Sequence, residues 1–361
     1  MRLAITRNFD SLAKPRPSDL SLMKTSVVVT SISGPNPVMQ AIAKGCHSQG
    51  WEFIVAGDRK TPSDFVLEGC TFLSLESQQT SPFRTGVLCP QNSYVRKNLA
   101  YLHAMSGGAG LILETDDDNL PLEAFWRARS RNVQARLVDG QGWVNVYAFF
   151  SEAMIYPRGF PLDLARSSMA DRLLPTFSAE AFCPIQQGLA DGAPDVDAAY
   201  RMLHGEEAAF HGGEPLVLGP GAWCPFNSQN TAFFREVFPL LYLPAHCSFR
   251  ATDIWRGLVA QRLLLTCDWS LSFHEADVHQ DRNPHDLMKD FEQEVPVYLQ
   301  TRQVIEILQS LTLEPGSISL TANLRTCYEA LAAAGIVGAG EPDLVEAWIT
   351  DLDAAGWLAK K

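Results

Sequence analysis

Between residues 24 and 118 the sequence alternates β-branched apolar runs with segments of helical spacing, and few folds accept that order. "KTSVVVTSIS" (24–33) is a continuous apolar run, the pattern of a strand buried on both faces. "GPNPVMQAIAKGCHSQG" follows with helix punctuation: Asn36 as N-cap, Pro37 in the first turn, Gly50 past the end. "WEFIVAGD" (51–58) and "CTFLSL" (70–75) predict two more strands. "NSYVRKNLAYLHAMSGG" predicts a helix with Val95, Leu99 and Leu102 on one stripe and glycines at its close. "AGLILETDDD" is the fourth strand. Strand and helix in alternation imply βαβ crossovers, hence an α/β fold with a mostly parallel central sheet.

Beyond residue 140 the pattern is less regular. "GWVNVYAFF" (142–150), "PLVLG" (215–219) and "WSLSF" (269–273) have strand character, and "DIWRGLVAQRLLL" (253–265) has helical spacing. The stretch 157–214 predicts loops with short helices. Three regions result: a polar arm (1–23), the α/β domain (24–295) and a helical C-terminal region (296–361).

Net charge is −12 and the pI about 5.1, which excludes a sequence-independent grip on nucleic-acid phosphates. The eight cysteines include no CxxC pair, so neither a zinc ribbon nor a compact disulfide framework is indicated. No signal-peptide pattern opens the chain and no window reaches the roughly 18 apolar residues of a spanning helix. The expectation is a cytoplasmic protein with no transmembrane segment.

In open α/β sheets, ligands gather at the carboxyl ends of the strands. Three polar clusters fall there: Thr30-Ser31, Gly57-Asp58-Arg59-Lys60, and Asp116-Asp117-Asp118. The last is the most telling. Adjacent carboxylates raise one another's pKa unless a cation sits among them, and a divalent ion shared with substrate phosphates is the standard remedy. The plain alternative is a solvated acidic loop. Arg96, Lys97, Arg59 and Lys60 lie near that edge in any doubly wound arrangement, although Arg59 suits an ordinary surface charge. A metal–carboxylate site flanked by cations matches a nucleotide diphosphate. Neither GxxxxGK[ST] nor a GxGxxG after a strand is present, which argues against P-loop and dinucleotide chemistry.

Several blocks carry a family resemblance: "VVVTSISGPNPVMQAIA", "GWEFIVAGDRKTP", "YVRKNLAYLHAMSGGAGLILETDDDN", "PIQQGLADGAPDVDAAYRM", "PFNSQNTAFFREVF" and "SFRATDIWRGLVAQRLL". In order, from about residue 26 to 295, they resemble the STELLO-type glycosyltransferase-like proteins of the plant Golgi. A fainter likeness, in the Asp-Asp-Asp run and "RGFP", is to the reversibly glycosylated polypeptides, the UDP-arabinopyranose mutases. Both imply a GT-A-like nucleotide-sugar-binding fold with an Asp-x-Asp metal site. The plant proteins carry a membrane anchor that this sequence does not show, so Golgi residence is not carried over.

The resemblance gives residues roles. Asp116 and Asp118 match the Asp-x-Asp pair and would hold Mn²⁺ or Mg²⁺, with His279 added to the metal shell from the histidine-rich segment that also holds His274 and His285. Thr30, Asp58 and Lys60 would line the base and ribose, and Arg96 and Lys97 the phosphates or sugar. Ser31, Asp117, Asn227 and Arg250 complete the expected donor site. Arg158, in "YPRGFPLD", stands where the mutases carry their glycosylated arginine. Asp253 would be an acceptor-side base, or only a favourable helix-terminal charge. Trp223 and Trp255 would stack a sugar or simply fill the core. The expected function is a metal-dependent glycosyltransferase with a UDP-sugar donor and a glycan or glycolipid acceptor, serving surface polysaccharide assembly. A pyranose/furanose mutase and a non-catalytic scaffold are the rivals, and the reading admits a homo-oligomer.

Overall fold

The computed structural model describes residues 23–357 apart from 206 and 284, so nearly all of the expected N-terminal arm lies outside the described residues. The first half builds β1 (Thr25–Thr30), α1 (Pro37–Gln49), β2 (Glu52–Ala56), β3 (Thr71–Leu73), α2 (Leu75–Gln79), α3 (Arg84–Leu88), α4 (Lys97–Ser106), β4 (Leu111–Thr115), β5 (Asn119–Pro121) and β6 (Asn132–Val138). Next come β7 (Gly142–Trp143), α5 (Leu162–Ala165), β8 (Thr176–Phe182), β9 (Ile185–Gly192), α6 (Ala198–His204) and β10 (Leu216–Leu218). The chain closes with β11 (Ala222–Trp223), β12 (Asn230–Phe234), α7 (Thr252–Thr266), β13 (Leu271–Gln280), α8 (Leu287–Ser310), α9 (Leu320–Ala333) and α10 (Glu341–Ala354).

An eleven-stranded sheet runs β3-β2-β1-β4-β12-β9-β13-β10-β6-β8, with β5 on β13. Strands β1, β2, β3, β4, β8, β9 and β13 point one way; β5, β6, β10 and β12 point the other. The parallel block β3-β2-β1-β4 is the part the sequence patterning describes. Each face of it is covered: Val27 and Val29 pack with Met39 and Ile42 of α1, whereas Val28 packs with Leu99 and Leu102 of α4. Strand alternation therefore buries both faces, which is why this run is apolar throughout. The caps also form as expected. Asn36 Oδ1 accepts from Met39 N at 2.8 Å, and Gly50 takes a left-handed φ of 67°.

Several expectations change. Residues 142–150 hold only the two-residue β7 before a 3₁₀ turn at Val146–Phe149, capped by Asn145. The region 157–214 contains two long strands, β8 and β9; in β9 glutamine, glycine and aspartate residues mask the strand pattern. β13 extends to Gln280, and α8 starts at Leu287 and runs unbroken through Pro296, across the boundary placed at 295/296. The helical C-terminal region is docked rather than appended. Glu341 accepts from Tyr242 Oη and from His246 N, the latter at 2.7 Å, and Trp348 Nε1 donates to Pro239 O at 3.1 Å.

One buried ion pair ties the sheet to α7. Arg256 donates to Glu114 at 2.9 Å with both side chains essentially sealed, and its guanidinium lies over Phe226 and Phe233. That link fixes the carboxyl end of β4 against the first turns of α7. All eight cysteines are free. Among the described residues no helix is long and apolar enough to cross a membrane.

Candidate active site

The strand order reverses between β1 and β4, since β2 and β3 lie to one side of β1 and β12 to the other side of β4. That switch point opens a crevice at the carboxyl ends, where side-chain and loop ends cannot both be filled by one crossover. Two adjoining cavities occupy it, of about 580 and 470 Å³, sharing Thr30, Ile32, Tyr94, Asp117, Phe249 and His285. The larger is walled by Gly57, Asp58, Lys60 and the first turns of α8. The smaller holds Asp116, Asp118, Arg158, Asp195, Asp253 and Arg282 among its walls.

The acidic run is held in place from several sides. Lys97, fully buried, donates to Asp116 Oδ1 at 3.0 Å and to Thr115 O at 3.1 Å. Ser31 Oγ donates to Asp117 Oδ2 at 2.5 Å, and Asn36 Nδ2 to the Asp117 carbonyl at 2.7 Å. Gln280, at the end of β13, donates to Asp118 Oδ1 at 2.9 Å. Burial pushes Asp116 up to about 7 against the pull of Lys97, and the neighbouring Asp118 and Asp117 add to the rise. Burial likewise raises Asp117. Lys97 thus only partly offsets the acidic run.

Opposite stands a second network built from three distant segments. Arg158 donates to both carboxylate oxygens of Asp195, at 2.8 and 2.9 Å, and to Asp253 Oδ2 at 2.8 Å. The remaining guanidinium nitrogen donates to the Arg250 carbonyl. Asp253, in the first turn of α7, also accepts from Ser228 N at 3.2 Å. Burial alone would raise its pKa, but Arg158 and then Arg256 hold the carboxyl well below the usual range. The same two carboxylates hold Arg158 protonated despite its burial.

Most of the residues singled out from the sequence meet here. Thr30, Ser31, Asp58, Lys60, Asp117 and Arg96 line the larger cavity; Asp116, Asp118, Arg158, Arg250 and Asp253 line the smaller. Their work differs from the expectation in places. Arg96 is sealed, its donors on Gln78 Oε1, Cys89 O and Gly86 O, so it braces the wall rather than reaching for phosphate. Lys97 serves Asp116 and two carbonyls instead of a ligand. Asp58 accepts from Arg59 N and Ser93 N at 2.7 and 2.8 Å, shaping the base of the cavity. Asn227 turns inward to Gln187 Nε2 and Gln229 N. Arg250 pairs with the buried Glu294.

His279 is not brought to the aspartates. On β13 it alternates with Gln280, whose side chain reaches Asp118, so the imidazole lies on the other side, against Gly192 and a separate groove. Among the described residues no three His, Cys, Asp or Glu side chains converge as a metal cage, so Asp116, Asp118 and His279 do not form one. His285 sits at the cleft instead, 3.0 Å from Asp290. Trp223 and Trp255 are core residues at 3% and 0% exposure; the aromatics that line the cleft are Phe249 and Tyr94, packed edge-on. Sequence reasoning missed Asp195, Arg282 and Gln280. The signal for Asp195 was present, a carboxylate in "GLADGAPDVD" just past a strand that went unrecognised.

Comparison with known proteins bears out the resemblance. The family model described as STELLO glycosyltransferases matches residues 250–360. The Arabidopsis thaliana protein named "Probable glycosyltransferase STELLO1" is 28% identical over 356 residues, 92% of this chain and 44% of that protein. "Probable glycosyltransferase STELLO2", from the same plant, is 29% identical over 277 residues, 70% of this chain and 35% of the relative. The chain therefore spans less than half the length of these relatives. Among solved structures, one titled "Crystal Structure of a Mycobacterial Protein" superposes with a TM-score of 0.38 at 12% identity, over 80% of each chain, a likeness too low to carry an argument.

Proposed function

We propose that the chain is a glycosyltransferase whose crevice at the β1/β4 switch point binds a nucleotide sugar, with a UDP-sugar as the simplest donor. The transferred group would pass to a hydroxyl of a glycan or glycolipid acceptor in polysaccharide or surface-glycan assembly. One observation carries the reading: a half-exposed acidic run that Lys97 only partly neutralises and a locked Arg158–Asp195–Asp253 network line the same cavity. The names of the similar proteins support the reaction class.

The donor set fits a hard divalent cation. Asp116 and Asp118 line the cavity, each with a carboxylate oxygen not engaged by Lys97 or Gln280, and two protein carboxylates plus donor phosphates and water make a normal Mg²⁺ or Mn²⁺ shell. Bound there, the ion would neutralise the diphosphate as it leaves. The larger cavity is then the place of the nucleoside, with Asp58, Lys60 and His285 on its walls.

Asp253 keeps its charge in any usable pH range, so its low basicity suits hydrogen bonding to a sugar better than proton removal. Arg158 positions it. A guanidinium clamped between two carboxylates is a poor nucleophile, which favours the transferase over the mutase. The test is release of UDP from a panel of UDP-sugars with and without oligosaccharide acceptors. Acceptor-dependent release supports transfer; a furanose product without acceptor would replace it with the mutase; no turnover with intact binding would leave a scaffold.

A further inference from the structure

Of the three arginines that line the smaller cavity, two are matched by carboxylates. Arg158 is shared by Asp195 and Asp253, and Arg250 is paired with Glu294. Arg282 differs: among the described residues no carboxylate stands within ion-pair distance of it. Its Nη2 donates instead to three neutral oxygens, the carbonyls of Ala193 and Pro194 at 3.2 and 3.0 Å and Gln280 Oε1 at 3.1 Å. Nε is sealed, whereas Nη1 makes no hydrogen bond and is not sealed. A guanidinium held in a wall by neutral oxygens keeps its full charge for an anion outside.

Gln280 ties this cation to the acidic run, accepting from Arg282 through Oε1 and donating to Asp118 Oδ1 through Nε2 at 2.9 Å. Arg282 also borders the groove beyond β13, whose walls carry Asp191, Glu207 and Asp281. An anion is disfavoured among those carboxylates; in the cleft a divalent ion on Asp116 and Asp118 would offset theirs. Arg96 and Lys97, expected at the phosphates, both turn inward, and Lys60 and Lys289 stand exposed on the larger cavity.

From this we infer that Arg282 is the side chain that binds the sugar-bearing phosphate of the donor, the terminal phosphate of UDP once the sugar is gone. The inference rests on the nucleotide-sugar reading above and adds the protein cation that meets the diphosphate. With the nucleoside in the larger cavity and the sugar in the smaller, the diphosphate crosses the acidic run and its second phosphate lies toward Arg282. The bond is a charge-assisted one, from a guanidinium nitrogen with no other partner to a phosphate oxygen.

Calorimetric titration of the full chain with UDP and UMP in Mn²⁺ tests it. Arg282→Met should weaken UDP about ten- to a hundredfold, the scale of a lost hydrogen bond to a charged group, and leave UMP within about twofold of wild type. Arg282→Lys keeps the charge but not the planar fork, and should weaken UDP about three- to tenfold with UMP again unchanged. The lysine variant decides alone if the methionine variant does not fold. Equal losses of UDP and UMP would mark Arg282 as a brace for the Ala193–Pro194 turn and overturn the inference. Unchanged UDP affinity in a folded variant would do the same and leave the nucleotide reading standing. Failure of UDP to bind the wild type would sink that reading, and the role of Arg282 with it.

Discussion

The ammonium of Lys97 lies 3.0 Å from Asp116 Oδ1, sealed beneath a run of three carboxylates that it only partly neutralises. A lysine with no exposed surface is costly to bury, and it is retained here because it also holds Thr115 O and the Ser228 carbonyl. It thereby pins the end of β4 to the loop that meets α7. The acidic run is an edge held from several sides and only partly neutralised.

A pH dependence follows. A carboxyl whose folded pKa is raised, as burial raises that of Asp116 to about 7 from 3.8, stabilises the fold at low pH and loses that contribution as pH climbs between the two values. Asp197, also raised to about 7 by burial, acts in the same direction. Asp116→Asn removes one of the two. Without donor, the melting temperature of wild type should fall relative to the variant between about pH 4 and pH 7. Differential scanning fluorimetry at four pH values decides; a constant offset between the two proteins would refute the assignment.

UDP should stabilise the protein only when a divalent ion is present. At a hundred times its dissociation constant a ligand seen only by the native state adds about 2.7 kcal/mol. Asp116→Asn and Asp118→Asn should each abolish the metal-dependent part while leaving the apo protein as stable as wild type or more so, since carboxylate repulsion is relieved. Equal thermal shifts with Mn²⁺ and with EDTA would sink the metal assignment.

Arg158→Ala leaves Asp195 and Asp253 buried and unpaired. Breaking such a network costs about 3–5 kcal/mol, visible as a lower denaturation midpoint at unchanged slope. Lysine should restore only part of it, because a point charge cannot reproduce the bidentate contact with Asp195. Intact-mass spectrometry after incubation with UDP-sugar should find no sugar on Arg158 in wild type. A pentose- or hexose-sized adduct there would restore the mutase.

The half of the site built by β1, β2 and β4 was legible in the sequence for a physical reason. Strands buried on both faces are written as apolar runs, and the polar residues that end them stand out, so Thr30, Asp58 and Asp116–Asp118 could be placed by position alone. The opposing half was not legible. Strand β9 carries glutamines, glycines and an aspartate because its neighbours satisfy them; Gln187 reaches Asn227 and Gln186 reaches Ser130. Such pairings depend on long-range register, which no local pattern encodes. For the same reason Asp195 was invisible as the partner of Arg158, 37 residues away. Arg96 and Lys97 were found, but whether a cation faces ligand or carbonyl is decided by packing.

The exchange of His279 for His285 can be checked directly. His285→Ala should weaken UDP binding by roughly tenfold, the scale of one modest hydrogen bond in a partly buried site. His279→Ala, on the far side of β13, should change neither UDP affinity nor the response to Mn²⁺. The reverse pattern would return His279 to the site and require β13 to adopt another register near its end.

The last prediction concerns how α7 is brought to the crevice. Gly257 has no side chain where a Cβ would stand 2.4 Å from the Phe226 carbonyl oxygen, so the helix lies directly on the loop that leads into Ser228. That closeness lets Ser228 N donate to Asp253 Oδ2 one turn earlier. The obstructing atom is backbone and is flanked by Pro225, so it cannot yield by a rotamer change. Gly257→Ala should push α7 outward and cost about 1–3 kcal/mol, the usual range for overpacking a tight core. It should also weaken nucleotide-sugar binding, because Asp253 loses Ser228 while Arg158 remains anchored on Asp195. Denaturant melts together with UDP-glucose titration separate the two effects. A variant as stable as wild type with unchanged affinity would show that the helix is not held by this contact.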